Sequence, residues 1–142
     1  MGKFEVIEHT ADIAIDVTGE SLEDLFITSA QAFKHLSTDL EFSEKPEYRI
    51  ISVEASTLED LLVDFLSELN YLLLIKKWMF THLTKLELKS EENKFLLNTT
   101  LTGTRINLDK IELKSEIKAV TYHQLNIREE LSGYNTKIIF DT

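Results

Sequence analysis

Ser21-Leu22-Glu23-Asp24-Leu25-Phe26 and Thr57-Leu58-Glu59-Asp60-Leu61-Leu62 carry the same punctuation. In each, a hydroxyl residue stands ahead of an apolar run and an acid follows three residues later. The hydroxyl can accept from an early helix amide, and the acid can reach back towards the cap and complement the helix dipole. Both segments therefore predict helices. Leu22, Leu25, Phe26, Ala30, Phe33 and Leu36 recur near helical spacing, which gives the first helix one apolar stripe and ends it near Ser37-Thr38-Asp39. The second carries Leu58, Leu61, Leu62, Phe65, Leu66, Leu69 and Leu72 and then becomes apolar nearly all round, so it should be the most buried element. Their flanking sequences do not match over a longer window, so the echo reflects capping rather than an internal repeat.

Period-two alternation marks the strands. Ile13, Ile15 and Val17 alternate in one run, and Ile138 and Phe140 in another at the far end. The polar stretch around Pro46 reads as a loop before a strand over residues 48–53. Residues 84–89 and 95–101 read as a hairpin around Asn93-Lys94, residues 116–127 as one long strand, and Ser132-Gly133-Tyr134-Asn135 as the turn into the last strand. Strands, helix, strand, helix and several strands predict an α+β fold. The expected form is a two-layer sandwich, with two helices packed on a largely antiparallel sheet. A length of 142 residues suits one domain, residues 1–142, around one core.

Charge narrows the function classes. A formal net charge of −10, with no basic run longer than Lys76-Lys77, argues against direct, tight nucleic-acid binding, which needs a basic surface to displace phosphate counterions. A basic protein partner or a divalent cation would be attracted instead, although on charge alone the preferred reading is that the acidity keeps the protein soluble. The greasiest stretch, Leu72-Leu73-Leu74-Ile75, is far too short to cross a membrane, and the start of the chain lacks the apolar segment of a secretory signal. With no cysteines there is no disulfide framework and no thiolate metal site, so a soluble, cytoplasmic protein is expected. The four glycines form no phosphate-cradling loop, and no nucleophile elbow is present. His9, His35, His82 and His123 show no paired spacing that would place two imidazoles on one helix face. Half-buried histidines hydrogen-bonded to backbone are the expectation for His123, His35 and His82.

Asp12 and Asp141 stand out against this background. Each falls on the opposite face of its strand from the alternating apolar residues, and aspartate is depleted in strands. Two readings are open at this level. Asp12 can be an edge residue bonded to nearby amides and Asp141 a solvated terminal one. If the two strands pair, Asp12, Asp141 and the main-chain or terminal oxygen of Thr142 would instead gather into an oxygen site for a hard cation.

Several segments together resemble the archease family: His9-Thr10-Ala11-Asp12, Ser21 to Phe26, Leu61-Leu62-Val63-Asp64-Phe65-Leu66-Ser67-Glu68-Leu69, Lys118-Ala119-Val120-Thr121-Tyr122-His123 and Phe140-Asp141-Thr142. The resemblance is collinear over almost the whole chain. It implies an archease-like fold and a non-catalytic accessory protein of tRNA splicing. Such a protein activates the GTP-dependent tRNA-splicing ligase by promoting guanylylation of the ligase's histidine and its repeated turnover. It also implies a divalent-cation site at Asp12, Asp141 and Thr142, calcium first, with magnesium or manganese as alternatives. The chain departs from the family pattern at Ala14, Thr104, Ile111 and Thr142, where a glycine, a glutamate, a histidine and an isoleucine or valine are usual. Two rival functions are a general chaperone or protein-interaction module, and a small metal-dependent hydrolase using Asp12, His9 and His123.

Overall fold

The computed structural model describes residues 2–8, 12–40, 45–122 and 125–142. Both capped segments are helices: α1 spans Leu22–Ser37 and α2 spans Leu58–Leu74. Ser21 Oγ accepts from the Asp24 amide and Thr57 Oγ1 from the Asp60 amide, each at 3.0 Å, which satisfies donors the first turn leaves over. Asp24 reaches back one residue further than expected, its Oδ2 accepting from the Glu20 amide at 2.9 Å. Helix α1 stops at Thr38, whose extended backbone donates its N–H to the Lys34 carbonyl at 2.9 Å. Thr57→Ala and Ser21→Ala should each cost about 1 kcal/mol of stability. The two helix starts are separate sites, so urea midpoints should shift additively in the double variant.

The strands are β1 (Lys3–Glu8), β2 (Asp12–Gly19), β3 (Glu47–Ala55), β4 (Trp78–Glu91), β5 (Lys94–Arg105), β6 (Ala119–Thr121), β7 (Arg128–Glu130) and β8 (Gly133–Asp141). They divide between two antiparallel sheets rather than forming one. A five-stranded sheet runs β1-β2-β8-β6 with β7 also on β8, and a three-stranded sheet runs β3-β5-β4. The β4–β5 hairpin closes through Glu92-Asn93, with Asn93 at φ 60. Asparagine tolerates that left-handed conformation at low cost.

One apolar cluster joins both sheets and both helices. Phe26 of α1 stacks on Phe65 of α2 with ring centroids 6.4 Å apart, and Phe33 meets Phe140 of β8 at 6.5 Å. Helix α2 contributes Leu61, Leu62, Phe65, Leu66, Leu69 and Leu73, all essentially inaccessible, as its all-round hydrophobicity required.

The long strand expected over residues 116–127 is not one element. Only Ala119–Thr121 pairs with β8, opposite residues 139–141, and a second short strand, Arg128–Glu130, pairs opposite residues 133–135. Described residues on either side of β6 meet α2 instead. Asn70 Nδ2 donates to the Ile117 carbonyl at 2.7 Å near one end of the helix, and Glu59 accepts from the Ile127 amide at 3.0 Å near the other. Alternating sequence cannot reveal this, because a strand exists only where a partner offers its edge.

Candidate functional site

Strand β8 lies between β2 and β6, and the register decides what its last residues meet. Asp12 pairs directly with Asp141, Ile13 with Phe140, Ala14 with Ile139, Ile15 with Ile138 and Asp16 with Lys137. Ile13, Ile15, Phe140 and Ile138 pack into or against the core, so their neighbours in sequence face the other way. On that outer face a row runs Asp12, Asp141, Ala119 across three strands. The next row is apolar, with Ala14 and Ile139 both buried. Directly opposed side chains in an antiparallel pair have β-carbons about 5 Å apart, within reach of one shared ion. The two strand ends flagged in sequence are thus brought together.

Asp141 is exposed and Asp12 and Thr142 are partly buried. Among the described residues no basic side chain opposes either carboxylate in the register, and Asp141's other neighbour is the methyl of Ala119. The Asp141 carbonyl accepts from the Lys118 amide at 2.7 Å, which fixes the backbone at the end of the strand. Beside this row, Thr121 Oγ1 is buried without a hydrogen-bond partner. Like charges directly opposed across strands are destabilising, so the pair is an electrostatic liability unless a cation is bound. Two carboxylates with main-chain or solvent oxygens match the needs of a hard cation. Among the described residues no group of three or more His, Cys, Asp or Glu gathers, so a ligand-complete side-chain cluster is not present there.

His9 and His123, which the hydrolase reading requires, lie outside the described residues. His35 and His82 depart from the expectation of half-buried, backbone-bonded histidines, since both are exposed. His35 packs its ring on Phe4 at 5.5 Å, and His82 Nδ1 lies 3.2 Å from the Thr81 hydroxyl. They line one open pocket between the end of α1 and β4, far in sequence from the aspartate pair. Thr104 lies at the end of β5 in the other sheet, and Ile111 lies in the irregular segment that follows it.

Comparison with known proteins places this geometry. A model of the Archease protein family matches residues 4–142. The chain belongs to the archease family. It is 32% identical over 139 residues to protein archease of Methanosarcina mazei, covering 98% of this chain and 95% of that one. Its fold is similar to the solution structure of protein 1598 from Methanobacterium thermoautotrophicum, at a TM-score of 0.82 and 27% identity over 98% of both chains. It is also similar to the crystal structure of an archease described as a possible chaperone from Thermotoga maritima, at a TM-score of 0.60 and 27% identity over 97% and 96% of the two chains. The α+β architecture expected from the sequence is therefore that of the archease structures.

The surface between α2 and β6 went unread in the sequence. Asn70, Tyr71, Leu74 and Ile75 line a groove there with Lys118 and Val120. Asn70 was the available signal: a lone amide between Leu69 and Tyr71, at the point where the helix turns into an apolar run.

Proposed function

We propose that this archease-family protein is a non-catalytic activator of the GTP-dependent RNA ligase that joins exon halves in tRNA splicing. It promotes guanylylation of the ligase's histidine and multiple turnover in the cytoplasm, without tight nucleic-acid binding of its own. Asp12, Asp141 and Thr142 would hold a divalent cation, calcium fitting an all-oxygen set best, with magnesium or manganese as alternatives. The observation that supports the reading is the cross-strand pairing of Asp12 with Asp141 in a family member, with no basic residue opposed to either among the described residues. When bound, the cation would supply positive charge on an otherwise acidic edge. The chain's own residues do the rest: β2 and β8 fix the spacing of the two carboxylates, Lys118 N–H holds the Asp141 backbone, and Ala119 leaves the far side of Asp141 uncrowded. No helix among the described residues is long and apolar enough to cross a membrane.

The test is ligase guanylylation in a purified reaction with wild-type protein, Asp12→Asn and Asp141→Asn. Stimulation should fall in both variants, and undiminished stimulation by folded variants would reject the cation-linked activity. A chaperone reading draws on Tyr48 and Ile50, 71% and 77% exposed on the outer face of the three-stranded sheet. It predicts suppressed aggregation of unrelated clients at stoichiometric ratios. Activation instead predicts an effect on one enzyme at low ratios.

A further inference from the structure

The groove between α2 and β6 combines features that the aspartate site does not use. Strand β6 ends the order of its sheet, and among the described residues no strand pairs with its outer edge. Its main-chain groups there are open to an added strand. Helix α2 forms the opposite wall, and the space between measures about 350 Å³. Asn70 lies on this wall, 8% exposed. Its Nδ2 donates to the Ile117 carbonyl, which can only accept, so the amide orientation is settled and Oδ1 is the atom left buried without a donor. An unpartnered buried acceptor costs about 1–3 kcal/mol, so a donor that reached Oδ1 as the groove wall opened would be favourable.

The walls are apolar and continue onto the surface. Tyr71 is 44% exposed and Ile75 62%, both on the rim, and Tyr122, just beyond β6, is 57% exposed. Single exposed apolar residues are ordinary, but Tyr71 and Ile75 stand together on the rim of one groove whose lining also holds Leu74 and Val120. Charge changes along it. Ile117 meets Asn70 and Ile127 meets Glu59, and Tyr122 lies near Asp64 and Asp60 on the stretch of α2 between them. There Asp64 and Asp60 lie one turn apart. Burial first and then the Asp60 charge push the Asp64 carboxyl up from its ordinary range. Burial and then the charges of Asp64 and Asp60 do the same for the Tyr122 phenol. The groove is therefore largely apolar, and further along α2, towards its first turn, lies a surplus of negative charge that a cationic side chain would relieve.

We infer that the α2–β6 groove is a docking site for an extended peptide segment of a protein partner, bound by strand addition to β6. The segment places an apolar side chain between Tyr71 and Ile75 and a basic residue against Asp60 and Asp64. Strand addition explains why an edge and a helix should leave a channel between them: main-chain pairing supplies affinity and the pockets beside it supply selectivity. From Asn70 to Asp64 is six helical residues, a rise of about 9 Å. An extended chain covers that in about three residues, which sets the spacing between the apolar and the basic side chains. The site is separate from the cation reading and holds whichever enzyme the protein serves.

The probe is a short peptide blocked at both ends, carrying isoleucine and valine at one end and two lysines at the other, made in both orders. Binding to the full chain is followed by fluorescence anisotropy and by amide chemical shifts. Shifts should cluster at residues 67–75 and 118–122, include the Asn70 side-chain amide, and be larger for one order. Tyr71→Ala/Ile75→Ala and Asp60→Asn/Asp64→Asn should each weaken binding about tenfold, the equivalent of about 1.4 kcal/mol. All four residues are solvent-accessible, so these variants should fold, and a wild-type circular dichroism spectrum checks it. Tyr48→Ala/Ile50→Ala should leave binding unchanged. Absence of binding, shifts centred on Tyr48 and Ile50, or equal affinity for a peptide with glutamates in place of the lysines would overturn the site. Ligase stimulation lost in the Asp12 and Asp141 variants but unchanged peptide binding would leave the groove standing. Stimulation that depends on Asp12 and Asp141, with no peptide bound at the groove, would overturn the groove and leave the activator reading standing.

Discussion

Asp141→Asn is expected to reduce ligase stimulation by at least about tenfold while leaving the protein as stable as wild type, or slightly more stable. The lower bound follows from metal sites in general, where removing a residue that merely orients a ligand costs about 10–100-fold in affinity or activity. A ligand itself should cost no less. The stability half follows from the register: Asp12 and Asp141 are directly opposed, and like charges so placed are destabilising by up to about 1 kcal/mol. Neutralising one therefore relieves repulsion when no cation is present. Added calcium should raise the thermal midpoint of the wild type, since a ligand that binds only the folded state stabilises it, and should do so much less in the variant. A midpoint lowered by several degrees in Asp141→Asn without calcium would mean the residue is structural. Asp12→Asn should behave alike, and the double variant should lose little more, because two residues holding one ion do not act independently.

Trp78→Ala should cost about 3–5 kcal/mol, the range for large aromatic side chains removed from a core. Set against a typical total of about 5–15 kcal/mol, that is enough to leave the protein partly unfolded at modest temperature. Trp78 opens β4 and is 1% exposed. Its indole N–H donates to Glu47 Oε1 at 3.2 Å, and the Arg49 guanidinium lies 5.1 Å from its ring centroid, so it fastens β4 to β3 across the sheet. Gly103 of β5 makes room for the ring, since a β-carbon there would fall 2.5 Å from Trp78 Cζ2 and 2.4 Å from the Met79 carbonyl oxygen. Backbone cannot yield as a flexible side chain would, so Gly103→Val should destabilise through overpacking by about 1–3 kcal/mol. Urea denaturation followed by circular dichroism measures both. Ligase stimulation by folded Trp78→Ala should be near wild type, because the aspartate pair sits in the other sheet. A loss of stimulation larger than the unfolded fraction would show that the two sheets are coupled.

The helices could be read in the chain because their determinants are local. Ser21 and Thr57 each satisfy an amide three residues away, and the apolar stripe behind each cap needs no knowledge of the rest of the molecule. The hairpin turn was legible at Asn93 for the same reason, although it closes through Glu92-Asn93 rather than Asn93-Lys94, since Lys94 already pairs with Glu91. Residues 116–127 were not, since their alternation suited a strand but β8 offers them pairing only at 119–121. The division of the strands into two sheets was equally hidden, because alternation gives faces and not neighbours. His35 and His82 are exposed because burial depends on what packs above a residue, which the chain around each does not reveal: His35 has only the Phe4 ring against one side, and both line an open pocket.

For the candidate site the boundary falls at the register. Sequence alone established that Asp12 and Asp141 oppose the apolar faces of their own strands, and the collinear family segments named the archease family. It could not establish that the two residues meet. That required β8 to insert between β2 and β6 in the one alignment that sets Ile13 against Phe140 and Ile15 against Ile138. Burying those four side chains together selects the alignment, since a slip of one residue would turn every one of them outward. The juxtaposition of the carboxylates is thus a by-product of core packing on the opposite face, decided by contacts between residues more than a hundred positions apart.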